Sequence, residues 1–520
     1  MRCFCGNILS VNQNDQVFRY LVEESGSIVY VGNALPEWYH HAERIDLGDK
    51  ALLPAFVDTH QHFASFSTFH AGLNVMEAKS NVEILEMVRS FARKSPAKTL
   101  IAFGASPYSV KENRLVNREE LDSVCPDKEL MVVKYDGHAC ITNSKLLNKL
   151  RPKVEALRGY HPDTGEMNQE AFFRFSDYIT GSLSIPELYR NMQTAVDFLA
   201  SRGIGCVHTV SGVGFVGNLD ITLERIFARG LKNGFQLRVF PQSMDIRVAT
   251  SRKLPRIGGC FACALDGCFG SHDAALNEPY ADGGEGVLYY DGQTVTAFCK
   301  EANRAGLQIE LHAIGDKAFD QACRALKAAL EDFPRADHRH GIIHDCLPTE
   351  EGIRICREYH IQMPVQSAFI GWAQEPDTYL QTILGPERLN RLNPLKTFRD
   401  NGISVSFGSD APCTTPDPIS WIHRAVNPSN PSQAVTVQDA VRMCTYNGCR
   451  AAFDEGERGS LEPGKIADMV VLSANPYTVP KQALKELTVE QLYLAGKPYE
   501  SCKESVPTAA LRGITSHAKV

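Results

Sequence analysis

Residues 51–63, ALLPAFVDTHQHF, are the strongest indication of the fold, because an apolar run there ends abruptly in a segment with two histidines. A run of this length predicts a strand that is buried on both faces, as inside a parallel β-barrel. Side chains two positions apart on a strand point the same way, so His60 and His62 would present two imidazoles together. Such a pair is a natural start for a divalent metal site, although a pair on a surface loop would have the same spacing.

Strand-like and helical runs alternate along the centre of the chain. They include GIGCVHTV at 203–210, FQLRVFPQ at 235–242, the helical TVTAFCKEANRAG at 294–306 and LQIELHAIGD at 307–316. This order yields a parallel sheet, and its repetition over roughly 350 residues favours closure into a (β/α)8 TIM-type barrel. The predicted fold class is therefore α/β.

Both ends of the chain have β character. FRYLVEESGSIVYVG at 18–32 has two β-rich runs around Gly26, which predicts a hairpin, and GSLEPGKIADMVVLS at 459–473 holds a strand between glycine-containing turns. We expect residues 1–53 and 451–520 to pair into one small β-sandwich domain. The barrel would occupy 54–450, with an insertion at about 64–195 after its first strand.

The composition limits the classes of function. The net charge is −7 and the pI about 6.2, which argues against a nucleic-acid partner, because such proteins usually carry a basic face. No run of 18 apolar residues predicts a membrane span, and the N-terminal residues do not resemble a secretory signal. The 16 cysteines are scattered rather than arranged as a disulfide framework, which predicts thiols in a reducing cytoplasm.

Three later apolar runs are each followed by a residue that can bind a metal. LQIELHAIGD ends its apolar run at His312, HGIIHDC at His344 and ISVSFGSDAPC at Asp410. Because strand ends meet at one rim of a parallel barrel, we expect these side chains to converge with His60 and His62. Imidazole nitrogen and carboxylate oxygen suit Zn²⁺, Fe²⁺ and Mn²⁺, and a catalytic site keeps one position for water. The sequence therefore predicts a divalent metal, with zinc favoured.

Several motifs together resemble a known family. LLPAFVDTHQH is similar to the first-strand signature of the amidohydrolase superfamily, and HAIGDKAFDQA, HRHGIIHDCLP, GSDAPCTTPDP and GSLEPGKIADMVVL resemble its N-substituted formamide deformylase-like (YtcJ-like) branch. The resemblance spans nearly the whole chain. It implies that His60, His62, His312 and His344 bind the metal or lie beside it, and that Asp410 takes a proton from the activated water. Asp410 could instead be a simple ligand or a helix N-cap.

The chain departs from the family pattern at one position. Many relatives place a lysine four residues before an Asp-Gly pair, where its carbamate bridges two metals, but here that position is Ala262. One ion is therefore favoured over two. Cys260 is an additional candidate ligand, because metal binding deprotonates a thiol. Packing is the favoured role for Cys260 and Cys263, since free cysteines commonly pack as small apolar side chains.

Candidate substrate contacts follow from the same resemblance. His138 lies in a DGH…NS segment that covers the barrel mouth in the family, although a solvent-facing loop histidine is an equal alternative. Asp266 and His272 are placed near the mouth in the same way. We expect these three residues to contact a small-molecule substrate.

The sequence thus predicts a metal-dependent hydrolase that cleaves a non-peptide C–N bond in an amide, formamide or cyclic amide. Metal-activated water would attack, and Asp410 would carry its proton to the leaving nitrogen, with His344 orienting water or substrate. A mononuclear deaminase of a cyclic amidine or heterocycle is the alternative within enzymes. A protein that binds metal and ligand without turnover is the alternative from another class. The resemblance also implies a homodimer.

Overall fold

The computed structural model describes residues 1–212 and 215–520. The strands in this part of the chain are β1 (Arg2–Leu9), β2 (Val17–Glu24), β3 (Ser27–Gly32), β4 (Glu43–Pro54), β5 (Phe56–Gln61), β6 (Leu73–Asn74), β7 (Thr99–Ala105), β8 (Glu129–Lys134), β9 (Ala139–Thr142), β10 (Tyr160–His161), β11 (Glu166–Asn168), β12 (Ile204–Ser211), β13 (Gln236–Pro241), β14 (Arg256–Ala264), β15 (Gln308–Ala313), β16 (Gly341–His344), β17 (Met363–Val365), β18 (Val405–Phe407), β19 (Met469–Leu472), β20 (Val489–Leu494) and β21 (Lys497–Pro498).

The α-helices alternate with many of these strands. They are α1 (Phe63–His70), α2 (Asn81–Lys94), α3 (Arg118–Val124), α4 (Ser144–Val154), α5 (Gln169–Ser182), α6 (Ile185–Ser201), α7 (Leu219–Gly230), α8 (Arg247–Thr250), α9 (Gly292–Arg304), α10 (Asp316–Asp332), α11 (Glu350–Glu358), α12 (Asp377–Leu389), α13 (Leu395–Asp400), α14 (Pro418–Val426), α15 (Val437–Cys444), α16 (Tyr446–Ala451) and α17 (Val506–Thr515).

The strands β5 and β12–β18 run parallel and form a TIM-barrel-type α/β fold. They pair as β13-β12-β5, β14-β15-β16 and β17-β18. A parallel bridge between Gly341 and Gln362 links β16 to the start of β17. At the end of β18, the amide of Asp410 donates to the carbonyl of His60 over 2.8 Å, which links the last barrel strand to the first. β13 packs beside β14 and completes the ring.

The two ends of the chain form one seven-stranded sheet in the order β21-β20-β19-β4-β1-β2-β3. The predicted hairpin is confirmed as antiparallel β2 and β3, joined at Ser25 and Gly26. β19 pairs antiparallel with the end of β4, with Met469 opposite Pro54, so the predicted pairing of the two ends is also confirmed. A two-layered sandwich remains a prediction.

A second, six-stranded sheet lies between the first and second barrel strands in the sequence. Its order is β10-β11-β9-β8-β7-β6; the helices α2–α4 lie between its strands in the chain, and α5 follows its last strand, β11. Apolar clusters cover this sheet and are separate from the main core. We call this unit, with its sheet and helices, the inserted sheet.

The main core lies between the barrel strands and the surrounding helices. On β15, Ile309 and Leu311 pack into this core, whereas the alternate residue His312 lines a cavity at the barrel mouth. This alternation explains how one strand contributes both stability and a polar side chain. Among the described residues, no helix has both the length and the apolar character needed to cross a membrane.

One strand differs from its predicted position. The sequence indicates a strand at FACALDG, 261–267, but β14 begins at Arg256 and ends at Ala264. The strand is present, but its predicted start is too late because Gly258 and Gly259 resemble a turn in the sequence, whereas both lie inside the strand. At Gly258, φ is +121°, and a Cβ would lie 1.9 Å from the carbonyl oxygen of Glu310 on β15, so glycine is required for this close approach.

A glycine beside β5 provides a test of this packing. A Cβ on Gly408 would lie 2.6 Å from the backbone nitrogen of His60, so Gly408→Ala forces β5 and the end of β18 apart. We expect the free energy of unfolding in denaturant to fall by about 1–3 kcal/mol, as for other overpacked sites. Gly456→Ala is the matched control, because a Cβ there has no described atom within 4 Å. Equal stability of the two variants would contradict the packing argument.

Candidate metal centre

Six side chains from the ends of five barrel strands converge at the rim of the barrel. Asp410 Oδ1 lies 3.2 Å from both His60 Nε2 and His62 Nε2. Cys260 Sγ lies 3.2 Å from His60 Nε2, 3.3 Å from His344 Nε2 and 3.4 Å from the Nδ1 atom of His312. The structure therefore brings together the five residues that the sequence singles out, with Cys260 at their centre.

The spacing of four of these groups suits a single small cation. One ligand atom from each of His60, Cys260, His344 and Asp410 lies within 4.8 Å of every other, and all four side chains are buried. Tetrahedral ligands at about 2.0–2.3 Å from zinc would be roughly 3.3–3.7 Å apart. The observed contacts of 3.2–3.3 Å are close to that spacing. The donor set, two imidazoles, a thiol and a carboxylate, is also one that zinc accepts.

The local backbone presents two of these side chains from unusual conformations. His344 has φ +76° and Asp410 has φ +55°, in the left-handed region that residues with a Cβ rarely adopt. His344 is the last residue of β16, and Asp410 lies three residues after the end of β18. Strain of this kind persists only where the surroundings hold it in place, and it concentrates at functional sites.

A β-bulge places Cys260 in the centre of the group. The register of β14 against β15 shifts between Gly259 and Ala264, so the intervening residues lie opposite no residue of β15. Within this segment Phe261 has φ +46°, and Cys260, Phe261 and Ala262 all line the cavity. Strict alternation of faces therefore fails at Phe261, because a bulge breaks the period of two. The geometry favours a ligand role for Cys260 over packing alone.

Hydrogen bonds fix which nitrogen of two histidines faces the centre. His344 Nδ1 lies 2.6 Å from Gln366 Oε1, which can only accept, so Nδ1 carries the proton and Nε2 faces Cys260 with its lone pair. His312 is turned the other way, with Nε2 3.3 Å from the carbonyl oxygen of Gly267 and Nδ1 toward Cys260. Both rings thus offer a lone pair to the centre.

Burial sets the charges of the group. It lowers the pKa of His60 and that of His344, so both rings are neutral at physiological pH, as a metal ligand must be. Burial alone would raise the pKa of Asp410, but hydrogen bonds from His60 and His62 outweigh it and hold that pKa well below its usual range. Burial, reinforced by the charge of Asp410, raises the pKa of the Cys260 thiol. A cation bound to the Cys260 sulfur would therefore displace a proton.

A buried carboxylate fixes the loop that carries Asp410. Asp58, on the same strand as His60, accepts hydrogen bonds from the amide of Ser409 at 2.8 Å and from its hydroxyl at 2.6 Å. Burial raises the pKa of Asp58 to about 7, although these bonds oppose the rise. No pattern in the sequence signals this role, since an aspartate before THQH equally suits a metal ligand.

The three predicted substrate contacts have different surroundings. His138 lines the cavity, with its ring 5.8 Å from that of Phe261. The carboxylate of Asp266 is fully buried and accepts from the amides of Ala275, Ile314 and Gly315 at 2.8–3.0 Å, which favours a structural role. His272 turns toward Asp282, at 2.9 Å, and the hydroxyl of Tyr379. Of the three, His138 is therefore the best placed to contact a ligand.

A large cavity connects the metal centre with the inserted sheet. Its volume is about 1720 Å³, and it is lined by His62, His312, His344 and Asp410 at the barrel and by side chains of the inserted sheet. Aromatic rings form part of the wall near the centre, where Phe369 stacks on Trp372 at 4.9 Å and lies 6.0 Å from the ring of His344. A cavity of this size accommodates a small organic molecule beside the metal centre.

Known proteins that are similar to this chain point to one family. The model of the amidohydrolase family matches residues 43–499. The chain is 25% identical to YtcJ of Bacillus subtilis, named as an amidohydrolase, over 88% of this chain and 90% of that protein. It is 24% identical to an N-substituted formamide deformylase of Arthrobacter pascens, over 94% and 96%. An uncharacterized metal-dependent hydrolase from Pyrococcus furiosus shares the fold, with TM-score 0.72 and 24% identity over 92% of this chain and 100% of that one.

The bond between His344 and Gln366 can be tested by substitution. Gln366→Leu removes the acceptor that holds the ring of His344, and loss of such a supporting contact lowers metal affinity by about 10–100-fold. Gln366→Glu keeps an acceptor oxygen and should keep the affinity. Competition with a chromogenic zinc chelator measures both variants. Unchanged affinity in Gln366→Leu would show that this bond does not position the ring.

Proposed function

This chain belongs to the amidohydrolase family, and we propose that it is a metal-dependent hydrolase that cleaves a non-peptide C–N bond in an amide or formamide. The observation that carries the proposal is the convergence of neutral imidazoles, a thiol and an ionised carboxylate within 4.8 Å, beside a cavity of about 1720 Å³. The resemblance to an N-substituted formamide deformylase favours formamides among the candidate substrates.

We propose that one divalent ion, zinc by preference, is held by His60, Cys260, His344 and Asp410. These four ligand atoms form the most compact set in the group. His62 lies against Asp410, and His312 against Cys260, so both rings adjoin the set. Nitrogen, oxygen and sulfur donors together favour zinc over harder cations such as Mg²⁺.

A specific observation favours a two-ion arrangement as the second candidate. Cys260 Sγ lies between two halves of the group, 3.2 Å from His60 Nε2 on one side and 3.4 Å from His312 Nδ1 on the other. A thiolate there could bridge two ions from a position two residues before Ala262, where relatives place a carbamylated lysine. The absence of that lysine would then no longer favour one ion over two.

The protein's own groups would handle the proton. When bound, a divalent ion lowers the pKa of a water to about 7 and polarises a carbonyl oxygen. Asp410 is ionised at neutral pH, so it is in the form that accepts a proton, and transfer of this proton to the leaving nitrogen completes hydrolysis. His138 lines the same cavity and would contact the substrate. The ring of Phe261, in the bulged segment, contacts both histidines: it lies 5.8 Å from the ring of His138 and 5.1 Å from that of His62.

The alternatives differ in product. A deaminase of a cyclic amidine or heterocycle would release ammonia, whereas an amide hydrolase releases an amine and a carboxylic acid. A protein that binds without turnover would release neither. The presence of an ionised Asp410 beside the ligand set supports catalysis over binding alone.

We also propose a cytoplasmic location, because all 16 cysteines are free thiols and most are buried. We propose as well that the protein forms a homodimer. The terminal sheet would belong to a two-layered sandwich, with domain limits at about residues 53 and 450.

Asp410→Asn tests the catalytic role of the carboxylate. Loss of the proton acceptor should lower kcat by about 10²–10⁴-fold, the usual contribution of a general base. We expect bound metal to remain, since the amide oxygen and the other donors stay in place. Turnover of a panel of N-substituted formamides and metal content by atomic emission measure the two effects. Full activity of the variant would end the assignment of Asp410 as proton carrier.

Cys260→Ala tests whether the thiol is a ligand or a packing residue. If Cys260 binds the ion, zinc affinity should fall by about 100-fold or more, while the free energy of unfolding of the metal-free protein changes little. Cys263→Ala is the matched control, because Cys263 is equally buried on the same strand but lies outside the ligand set. Equal zinc affinity in the two variants would restore the packing interpretation. Two zinc ions in the wild type would favour the bridged arrangement.

A further inference from the structure

A buried ion pair lies in the wall of the cavity, outside the metal centre. Lys134 ends β8 of the inserted sheet, and its Nζ lies 2.7 Å from Asp136 Oδ2. The two side chains are only 12% and 6% exposed, and both line the cavity that holds the metal centre. The proposed function does not use either residue.

The carboxylate of Asp136 is held from several sides. Its Oδ1 accepts from the amide of His138 at 3.1 Å, and its Oδ2 lies 3.4 Å from the hydroxyl of Ser271, which follows β14 of the barrel. Burial alone would raise the pKa of Asp136, but the charge of Lys134 outweighs it and lowers that pKa. The lysine is therefore fixed by a carboxylate that is itself fixed to both the inserted sheet and the barrel.

The ammonium of Lys134 has more N–H donors than described acceptors. An ammonium has three N–H groups. Asp136 occupies one, and the carbonyl oxygen of Gly270 lies at 3.5 Å, the limit of a hydrogen bond. The ring of Tyr135 lies 5.3 Å away and stabilises the positive charge from its face. One N–H thus remains without a described acceptor, on a side chain that lines the cavity.

We propose that Lys134, positioned by Asp136, is a substrate-binding residue that donates a hydrogen bond to a neutral acceptor oxygen, such as a ketone or carboxamide carbonyl, on the part of the substrate distant from the cleaved bond. This inference rests on the proposed function, because it deepens the description of that substrate. A charge-assisted hydrogen bond inside a largely buried cavity is stronger than one in water.

The surrounding charges favour a neutral oxygen over a carboxylate. The positive charge of Lys134 is already matched by Asp136. Glu375 lines the same cavity and accepts from the hydroxyl of Tyr135 at 2.8 Å. An anionic substrate group would approach both of these carboxyl groups. The other cations that line the cavity, Arg114 and Arg158, are paired with Glu120 and Glu170.

The test uses matched pairs of ligands. The probes are N-alkylformamides with a ketone at successive chain positions, each paired with the analogue in which CH₂ replaces the carbonyl. Binding to zinc-loaded full-length Asp410→Asn protein is measured by calorimetry, so that turnover is not required. At one chain position we expect the ketone to bind about tenfold tighter or more than its CH₂ analogue. A carboxylate at that position should bind more weakly than the ketone.

The same pair is then measured with Lys134→Met added. We expect the preference for the ketone to disappear while the CH₂ analogue keeps its affinity, which shows that the cavity and the fold are intact. Lys149→Met is the matched control, because Lys149 also pairs with a carboxylate, Glu129 at 2.5 Å, and a tyrosine ring, yet lies outside the cavity. It should leave the preference unchanged.

The outcomes separate this inference from the proposed function. Failure of any ketone to bind better than its analogue, or a preference that survives Lys134→Met, overturns the assignment of Lys134. Turnover of the same formamides by the wild-type holoenzyme tests the hydrolase proposal separately. A Lys134-dependent preference without turnover would contradict the hydrolase proposal and support the binding site.

Discussion

The structure depends on the hydrogen bond by which the amide of Asp410 donates to the carbonyl of His60 over 2.8 Å, because it ties the last barrel strand to the first. Strands far apart in the sequence can bind one cation together only if their carboxyl ends lie at the same level along the barrel axis. The bonds from Ser409 to Asp58 hold the same junction from the interior. The convergence of the ligand-type side chains is therefore a consequence of ring closure, which both a backbone hydrogen bond and the buried carboxylate of Asp58 hold in place.

Burial gives this centre its chemical character. In an apolar interior the imidazoles of His60 and His344 stay neutral and the thiol of Cys260 stays protonated, so the ionised Asp410 is the main charge. A buried charge without compensation is costly. A divalent cation would compensate it and, bound to the Cys260 sulfur as proposed, would displace the thiol proton and gain a second negative ligand. Protein charge and metal charge would then balance.

The sequence predicted the barrel and the convergence of its histidines because both follow from periodicity and from the position of polar residues after apolar strands. It offered Cys260 as an additional candidate ligand but favoured packing, because no local pattern signals the bulge at Phe261 that places the thiol among the histidines. Gln366 was missed for a different reason. It follows the three-residue strand β17, and its role exists only through a contact with His344 on the neighbouring strand.

The cavity is formed by two structural units that contact each other through aromatic rings and through specific hydrogen bonds. The hydroxyl of Ser106 donates to the carbonyl of Gln374 at 3.2 Å, and the amide side chain of Gln374 donates to the carbonyl of Met76 at 2.9 Å. These bonds join the inserted sheet to the loop after β17, so the wall that carries Lys134 is fixed relative to the rim that carries the metal ligands. Barrel strands tolerate little change, because each also packs against helices and neighbouring strands. The inserted sheet has its own apolar clusters, so the residues that it presents to the cavity are held by packing that is separate from the core under the ligand set.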